Sequence, residues 1–366
     1  MRRLREALDG IANEAPLVDL ADLAVAGHRR RRRTTLTLAA VAAVAVLGAA
    51  TAAVALPGSH GGDTATPQNV DAVPDLPDGG IGAISHAYQT QCKVDAERRL
   101  PPDCSAIEWR VVTRTGTTYR VPQALVTSTK DHPAPVAVSR DGRMFAYYSR
   151  QAQAHVVRDL VSGSEMTSSV TVKEERIGVG STLVLSDDGR YLIFDPREGS
   201  KDPGLLIDVR TGRTVSVPGK FEAISIKDGV AVLVRYVKTD LWLMPVTGGG
   251  TPVRFDGVFV MFSELSPDGR TVAAVEWRRL KSRTLTLFDA KTGRPLRKVA
   301  IRGLPKDGGI SNTALWRSGS EVTIVYWDRE SPGTYAVDVN TGQARRLARY
   351  PGNVAHLTLP GITKAE

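Results

Sequence analysis

The sequence predicts an all-β chain: a six-bladed β-propeller, closed by pairing of its N- and C-terminal strands and preceded by one transmembrane helix. Three observations lead there. Two kinds of glycine turn alternate along residues 81–362. Short β-branched and aromatic runs lie between the turns. One strand-like run at the end belongs to no repeat.

Residues 1–33 come first. Leu4, Leu8, Ile11 and Ala12 fall at helical spacing, and Val18, Leu20, Leu23 and Val25 form a second apolar series after Pro16. Two short amphipathic helices fit this pattern, yet they are too small to bury a core alone. Their apolar faces call for a cytoplasmic partner or a membrane surface. The segment holds eight Arg and five acidic residues, and five of the Arg, Arg29 to Arg33, are consecutive.

Residues 34–56 follow, 23 positions from Thr34 to Leu56 without a charge. A helix needs roughly 20 apolar residues to cross a bilayer core. The Arg block resists translocation, so it marks the cytoplasmic side and puts everything after Pro57 outside. A cleaved signal is the competing reading, since Ala53-Val54-Ala55 has an A-x-A form and Arg32-Arg33 precedes Thr34 as in a twin-arginine signal. The stretch is longer than the 7–15 residues or so of a signal core, which favours an uncleaved anchor. The expected address is the plasma membrane, single-pass, with an extracytoplasmic propeller.

Residues 57–80 read as a linker, with four Pro and five Gly. The only cysteines, Cys92 and Cys104, lie beyond it with eleven residues between them. Outside the cytoplasm such a pair reads as a disulfide that stabilises by about 3 kcal/mol.

The repeat fills residues 81–362, leaving 363–366 as a tail. The first mark is Asp141-Gly142, Asp188-Gly189, Asp228-Gly229, Asp268-Gly269 and Ser318-Gly319. The second is Thr115-Gly116, Ser162-Gly163, Thr211-Gly212, Thr247-Gly248, Thr292-Gly293 and Thr341-Gly342. The second marks recur at intervals of 47, 49, 36, 45 and 49 residues. A period of 40–50 residues with two hairpins per unit describes four-stranded propeller blades. Between marks, Arg270–Trp277, Thr284–Phe288, Val230–Val237 and Val322–Trp327 have strand length and strand composition. Six second marks make six blades. Seven would need a unit hidden in residues 164–180 or 296–311. The first unit lacks a first mark and the last is followed by a spare strand, Asn353–Leu359. The two irregularities explain each other if the spare strand completes blade 1 from the inside, removing the open edges.

The turns Ser266-Pro267-Asp268-Gly269-Arg270, Ser186-Asp187-Asp188-Gly189-Arg190 and Ser139-Arg140-Asp141-Gly142-Arg143 resemble the S-P-D-G-[RK] turn of TolB-like and WD-repeat-like propellers. Asp159, Asp208, Asp289 and Asp338 each lie four residues before a second-mark Gly, in the same register. No Trp precedes any of these four Asp, the one W-D pair, Trp327-Asp328, lies outside that register, and no G-H pair occurs in residues 81–362, so the resemblance leans to the TolB-like side. The whole layout is similar to membrane-anchored propeller proteins of high-GC Gram-positive bacteria, a group that implies a fold and no activity.

Composition narrows function further. The net charge is +9, yet 40 basic and 34 acidic residues are mixed over positions 58–366. That is a solvated surface and excludes a nucleic-acid partner as the reading of the high pI. No G-x-S-x-G, H-E-x-x-H or P-loop motif occurs, no His lies at ligand spacing, and no cofactor or metal is expected. The five Trp read as core, Glu174-Glu175 as a solvated pair and Asp187-Asp188 as turn residues. The chain therefore reads as a binding protein for a protein, peptide or envelope ligand, with a signal relayed inward as an extension. The alternative is a hydrolase or lyase with carboxylates lining the central channel. Tight turns should share one face and long connections the other, where recognition usually sits. The candidate binding residues there are the basic stretch Arg278, Arg279, Lys281 and Arg283.

Overall fold

The computed structural model describes residues 73–93, 103–197, 200–236, 238–278, 283–328 and 330–363. Residues 1–33 and 34–56, with the expected inner helices and membrane anchor, lie outside them. Among the described residues no helix is long and apolar enough to cross a membrane.

The strands follow the punctuation. Blade 1 holds β1 (Ile84–Gln89), β2 (Trp109–Thr113) and β3 (Thr118–Arg120). Blade 2 holds β4 (Ala137–Val138), β5 (Met144–Ser149), β6 (Ala154–Asp159) and β7 (Glu165–Thr167). Blade 3 holds β8 (Thr182–Leu185), β9 (Tyr191–Asp195), β10 (Gly204–Asp208) and β11 (Thr214–Val217). Blade 4 holds β12 (Glu222–Lys227), β13 (Val230–Arg235), β14 (Asp240–Pro245) and β15 (Val253–Arg254). Blade 5 holds β16 (Phe259–Val260), β17 (Thr271–Glu276), β18 (Thr284–Asp289) and β19 (Pro295–Ala300). Blade 6 holds β20 (Gly309–Trp316), β21 (Glu321–Trp327), β22 (Pro332–Asp338) and β23 (Ala344–Arg349). The last strand, β24 (Ala355–Thr358), returns to blade 1 and gives it the order β24-β1-β2-β3. Ala87 faces Thr358 and Gln89 faces Ala355 in an antiparallel pair. The ring is thus six four-stranded sheets closed by its own C-terminal strand. Residues 164–180 and 296–311 hold outer strands and connections, including the short 3-10 turn Glu174–Arg176, and no seventh sheet.

The turns show why the marks recur. In the first mark, the Ser hydroxyl donates to the Asp carboxylate two residues on, at 2.6 Å for both Ser139–Asp141 and Ser186–Asp188. The same carboxylates accept the backbone N–H of Arg143 and Arg190 at 3.0 Å. The arginine then reaches the second mark of its own blade: Arg143 pairs with Asp159 at 2.7 Å and Arg190 with Asp208 at 2.8 Å. In the second mark, Asp338 accepts the N–H groups of Asn340 and Thr341 at 2.9 and 2.8 Å, an Asx-type turn that Gly342 closes at φ 75°. A β-carbon on Gly342 would also meet the Ala300 carbonyl oxygen of the preceding blade at 2.1 Å. That glycine serves the junction between blades as well as its own turn.

The core is distributed over the blade junctions. Six hydrophobic clusters fill the six seams, each built from the facing sides of two neighbouring sheets. The smallest lies at the closing seam, where Val325 of blade 6 meets Leu357, Leu359 and Ile362.

Residues 74–80, which read as linker, pack onto the propeller. The N–H of Leu76 donates to the Arg120 carbonyl and that of Arg120 to the Pro74 carbonyl, both at 2.8 Å, so the chain covers the outer edge of blade 1. Ile81 and Gly82 then donate to the Leu160 carbonyl of blade 2. Disulfide-bonded Cys92 and Cys104, with Cα atoms 4.3 Å apart, close the base of the β1–β2 loop.

Candidate functional site

Antiparallel strands put both kinds of marked turn on one face of the ring, here the turn face. Connections within blades between their second and third strands, and connections between blades, lie on the other, the loop face. Each face, and the channel joining them, is a place where a ligand could sit.

The channel is lined by Val138, Val184, Ser225 and Leu315 of the innermost strands of different blades and by Ile362, just past β24. The space at its narrow part is about 20 Å³, room for roughly one water molecule. At the turn-face end it meets a cluster of four charges. Arg140 pairs with Glu264 at 3.1 Å, and its backbone N–H donates to Asp187 at 3.2 Å. Glu264 also accepts the N–H of Trp316 at 2.9 Å, and the Arg140 guanidinium donates to the Trp316 carbonyl. Burial pushes the Glu264 carboxyl up, against the pull of Arg140 and Lys227. Desolvation likewise raises Asp187, opposed by the Arg140 N–H and by the charges of Arg140 and Lys227. Two acids and two bases neutralise one another across the mouth.

This cluster was hidden in the sequence. Arg140, Asp187 and Lys227 each stand immediately before the Asp of a first mark, one per blade, and Glu264 precedes Ser266 by two. The register was on the page. That this register position faces the axis is a property of the closed ring. The three or more converging acids or histidines that a channel-lined hydrolase would use are not brought together among the described residues, which place two carboxylates there.

On the loop face a groove of about 350 Å³ runs between the disulfide-closed loop and the connection from blade 1 to blade 2. Cys104 and Ile107 form one wall, Pro122 to Thr127 the other, and Arg150 one end. The second wall is pinned from behind. Trp109 Nε1 donates to the Leu125 carbonyl at 3.1 Å, Gln89 to the Val126 carbonyl at 3.1 Å, and the Leu125 N–H to the Tyr148 carbonyl at 2.9 Å. Arg150 is held by Glu174 through two bonds of 2.8 and 2.9 Å. The same contact holds the Glu174 carboxyl below its usual range, so Glu174 is an ion-pair partner and not part of a free solvated pair.

The basic stretch divides. Arg283 turns inward: its guanidinium donates to the Tyr326 hydroxyl at 2.9 Å and to the carbonyls of Leu304 and Lys306, tying blade 5 to the connection that follows it. Arg278 is exposed two residues past the end of β17. Arg279 and Lys281 lie outside the described residues. Beside them Trp277 is 57% exposed, whereas Trp109 and Trp316 are buried in seams, so the expectation of five core tryptophans holds for those two and fails at Trp277.

Fold and faces define a six-bladed β-propeller with a braced groove on its loop side. No family model matches the chain, and no curated protein matches it. Solved structures do. TolB from Acinetobacter baumannii is similar at 16% identity over 75% of this chain, with a TM-score of 0.48. The match takes in 65% of the TolB chain, just under two thirds of it. The Cps50 (Swd1) beta-propeller domain from Myceliophteria thermophila is similar at 16% identity over 60% of this chain and 72% of that one, TM-score 0.40. The dihydro-heme d1 dehydrogenase NirN is similar at 14% identity over 77% of this chain and 57% of that one, TM-score 0.41.

Proposed function

We propose that this chain is a single-pass membrane protein whose extracytoplasmic propeller binds a protein, peptide or envelope ligand on its loop face. The observation that carries the binding reading is the groove beside the Cys92–Cys104 loop, whose wall is fixed by hydrogen bonds before any ligand arrives. Such preorganisation lowers the ordering cost of association. The address rests on the Arg29–Arg33 block and the uncharged Thr34–Leu56 segment, and on the resemblance to anchored propeller proteins. Residues 1–33 then offer their apolar faces to a cytoplasmic partner, through which occupancy outside is relayed. No catalytic group is assigned, because the channel mouth is filled by its own ion pairs.

Two measurements test this. A reporter active only outside the cytoplasm, fused after Glu366, should be active; activity of a cytoplasmic reporter at the same place would sink the address. A photo-crosslinking side chain at Gln123, exposed on the groove rim, should trap a discrete adduct on intact cells. The same group at Asn340 on the turn face should not, and equal trapping at both would remove the loop face as the site.

A further inference from the structure

One corner of the loop face combines an exposed aromatic with cations that form no ion pair among the described residues. Trp277 is 57% exposed and its backbone N–H donates to the carbonyl of Val258, itself 44% exposed, at 3.0 Å. The adjoining connection of blade 4 brings Lys238 close, because the Thr239 hydroxyl accepts the Phe259 N–H at 2.9 Å. Arg278 follows Trp277 directly. The carboxylates of these strands are paired elsewhere: Asp240 with Arg235 and Arg254, Glu276 with Lys298. Asp256 is the exposed acid of the 255–258 connection. From Arg278 to Lys281 the sequence carries three cations and no acid.

We infer that Trp277, Val258, Lys238 and Arg278 form a docking corner for an anionic lipid surface, the outer face of the membrane that anchors the chain. This rests on the anchored reading above. An exposed indole beside cations is the pairing that settles at a headgroup boundary. Cations facing an anionic bilayer each gain about 1 kcal/mol, or about fivefold in affinity. The tether permits the contact. Pro74 lies eighteen residues after Leu56 in the sequence, and a coil of that length has a root-mean-square span of roughly 25 Å, comparable with a radius of gyration of about 19 Å for a domain of this size. Docking would turn the propeller from a tethered body into an oriented one.

The test uses the full chain reconstituted into vesicles of phosphatidylcholine, alone or with about a third phosphatidylglycerol, each with brominated acyl chains. Co-flotation reports insertion. In the anionic vesicles the brominated chains should quench a tryptophan component that Trp277→Phe lacks. Neutral lipid, high salt and the double variant Lys238→Glu, Arg278→Glu should each abolish that quenching. The replaced side chains are exposed, so thermal unfolding should not change. A chain that floats but shows equal quenching in both lipids, or quenching indifferent to Trp277→Phe, overturns the inference. A chain that fails to insert overturns the anchor instead. It is then added to preformed vesicles, where charge-dependent flotation lost in the double variant upholds the docking corner and its absence removes it. Shielding of Trp277 from acrylamide by polyglutamate, and by neither vesicle, would identify an acidic protein as the occupant and overturn the lipid assignment.

Discussion

His155 shows how much a single side chain can be asked to bear. It is fully buried on β6 between the rings of Tyr148 and Phe194, and neither ring nitrogen has a hydrogen-bond partner. Burial lowers its pKa from 6.5 to about 3. The folded state therefore binds fewer protons than the unfolded state once pH drops below the unfolded value. Stability should be whole above about pH 6.5 and fall as pH descends towards 3. At pH 5 the loss from this residue alone is ~2 kcal/mol. His86, lowered to about 4 by burial, adds in the same direction. Thermal unfolding followed from pH 7 to pH 5 should show His155→Phe losing less stability than the parent chain. Parallel curves would mean that the imidazole is hydrated in solution. Sequence reading found no ligand spacing among the histidines. It could not foresee burial without a partner, since that depends on which strand of blade 3 lies opposite.

At the scale of elements, the two marks look alike in sequence and differ in what surrounds them. Gly269 has φ 68° and open space where a β-carbon would stand, whereas Gly342 has φ 75° and a carbonyl oxygen 2.1 Å from that point. Gly269→Ala should cost about 1–2 kcal/mol, the price of a left-handed conformation for an L-residue. Gly342→Ala must in addition push blade 6 away from blade 5, so its loss in denaturant unfolding should be clearly larger. Equal losses would mean that the blade junction yields at no cost. Both turns were legible in the sequence because a turn is local: Asp, Thr and Gly at fixed offsets satisfy one another's backbone groups. The close approach of the next blade was not, since a carbonyl oxygen carries no side-chain signal.

For the whole molecule, the closing seam decides how the ring opens. Among the described residues its cluster has four buried apolar side chains, against ten to sixteen at the other seams. No turn links β24 to β1, so this pairing must close the entire ring against chain entropy. Leu357→Ala should destabilise by about 3 kcal/mol. Hydrogen exchange should then accelerate first at β1 and β21, the neighbours of that seam, before the blade 2 and blade 3 strands. Uniform acceleration around the ring would show that the propeller unfolds as one unit, with no favoured point of opening.

The sequence by itself determined the blade number, the positions of the turns, the disulfide pair and the strand that shuts the ring. Each of these is written in neighbours along the chain, or in a count of repeats with one strand left over. Only the tertiary structure decided what faces the axis and what faces solvent. Arg140, Asp187, Lys227 and Glu264 come from separate blades and meet only after closure, and Trp277 looks like a core residue until β17 is seen to end at Glu276, one residue before it. Local punctuation survives translation into sequence. Convergence across a closed ring does not, because the residues that converge are set by the curvature of the whole and not by their spacing.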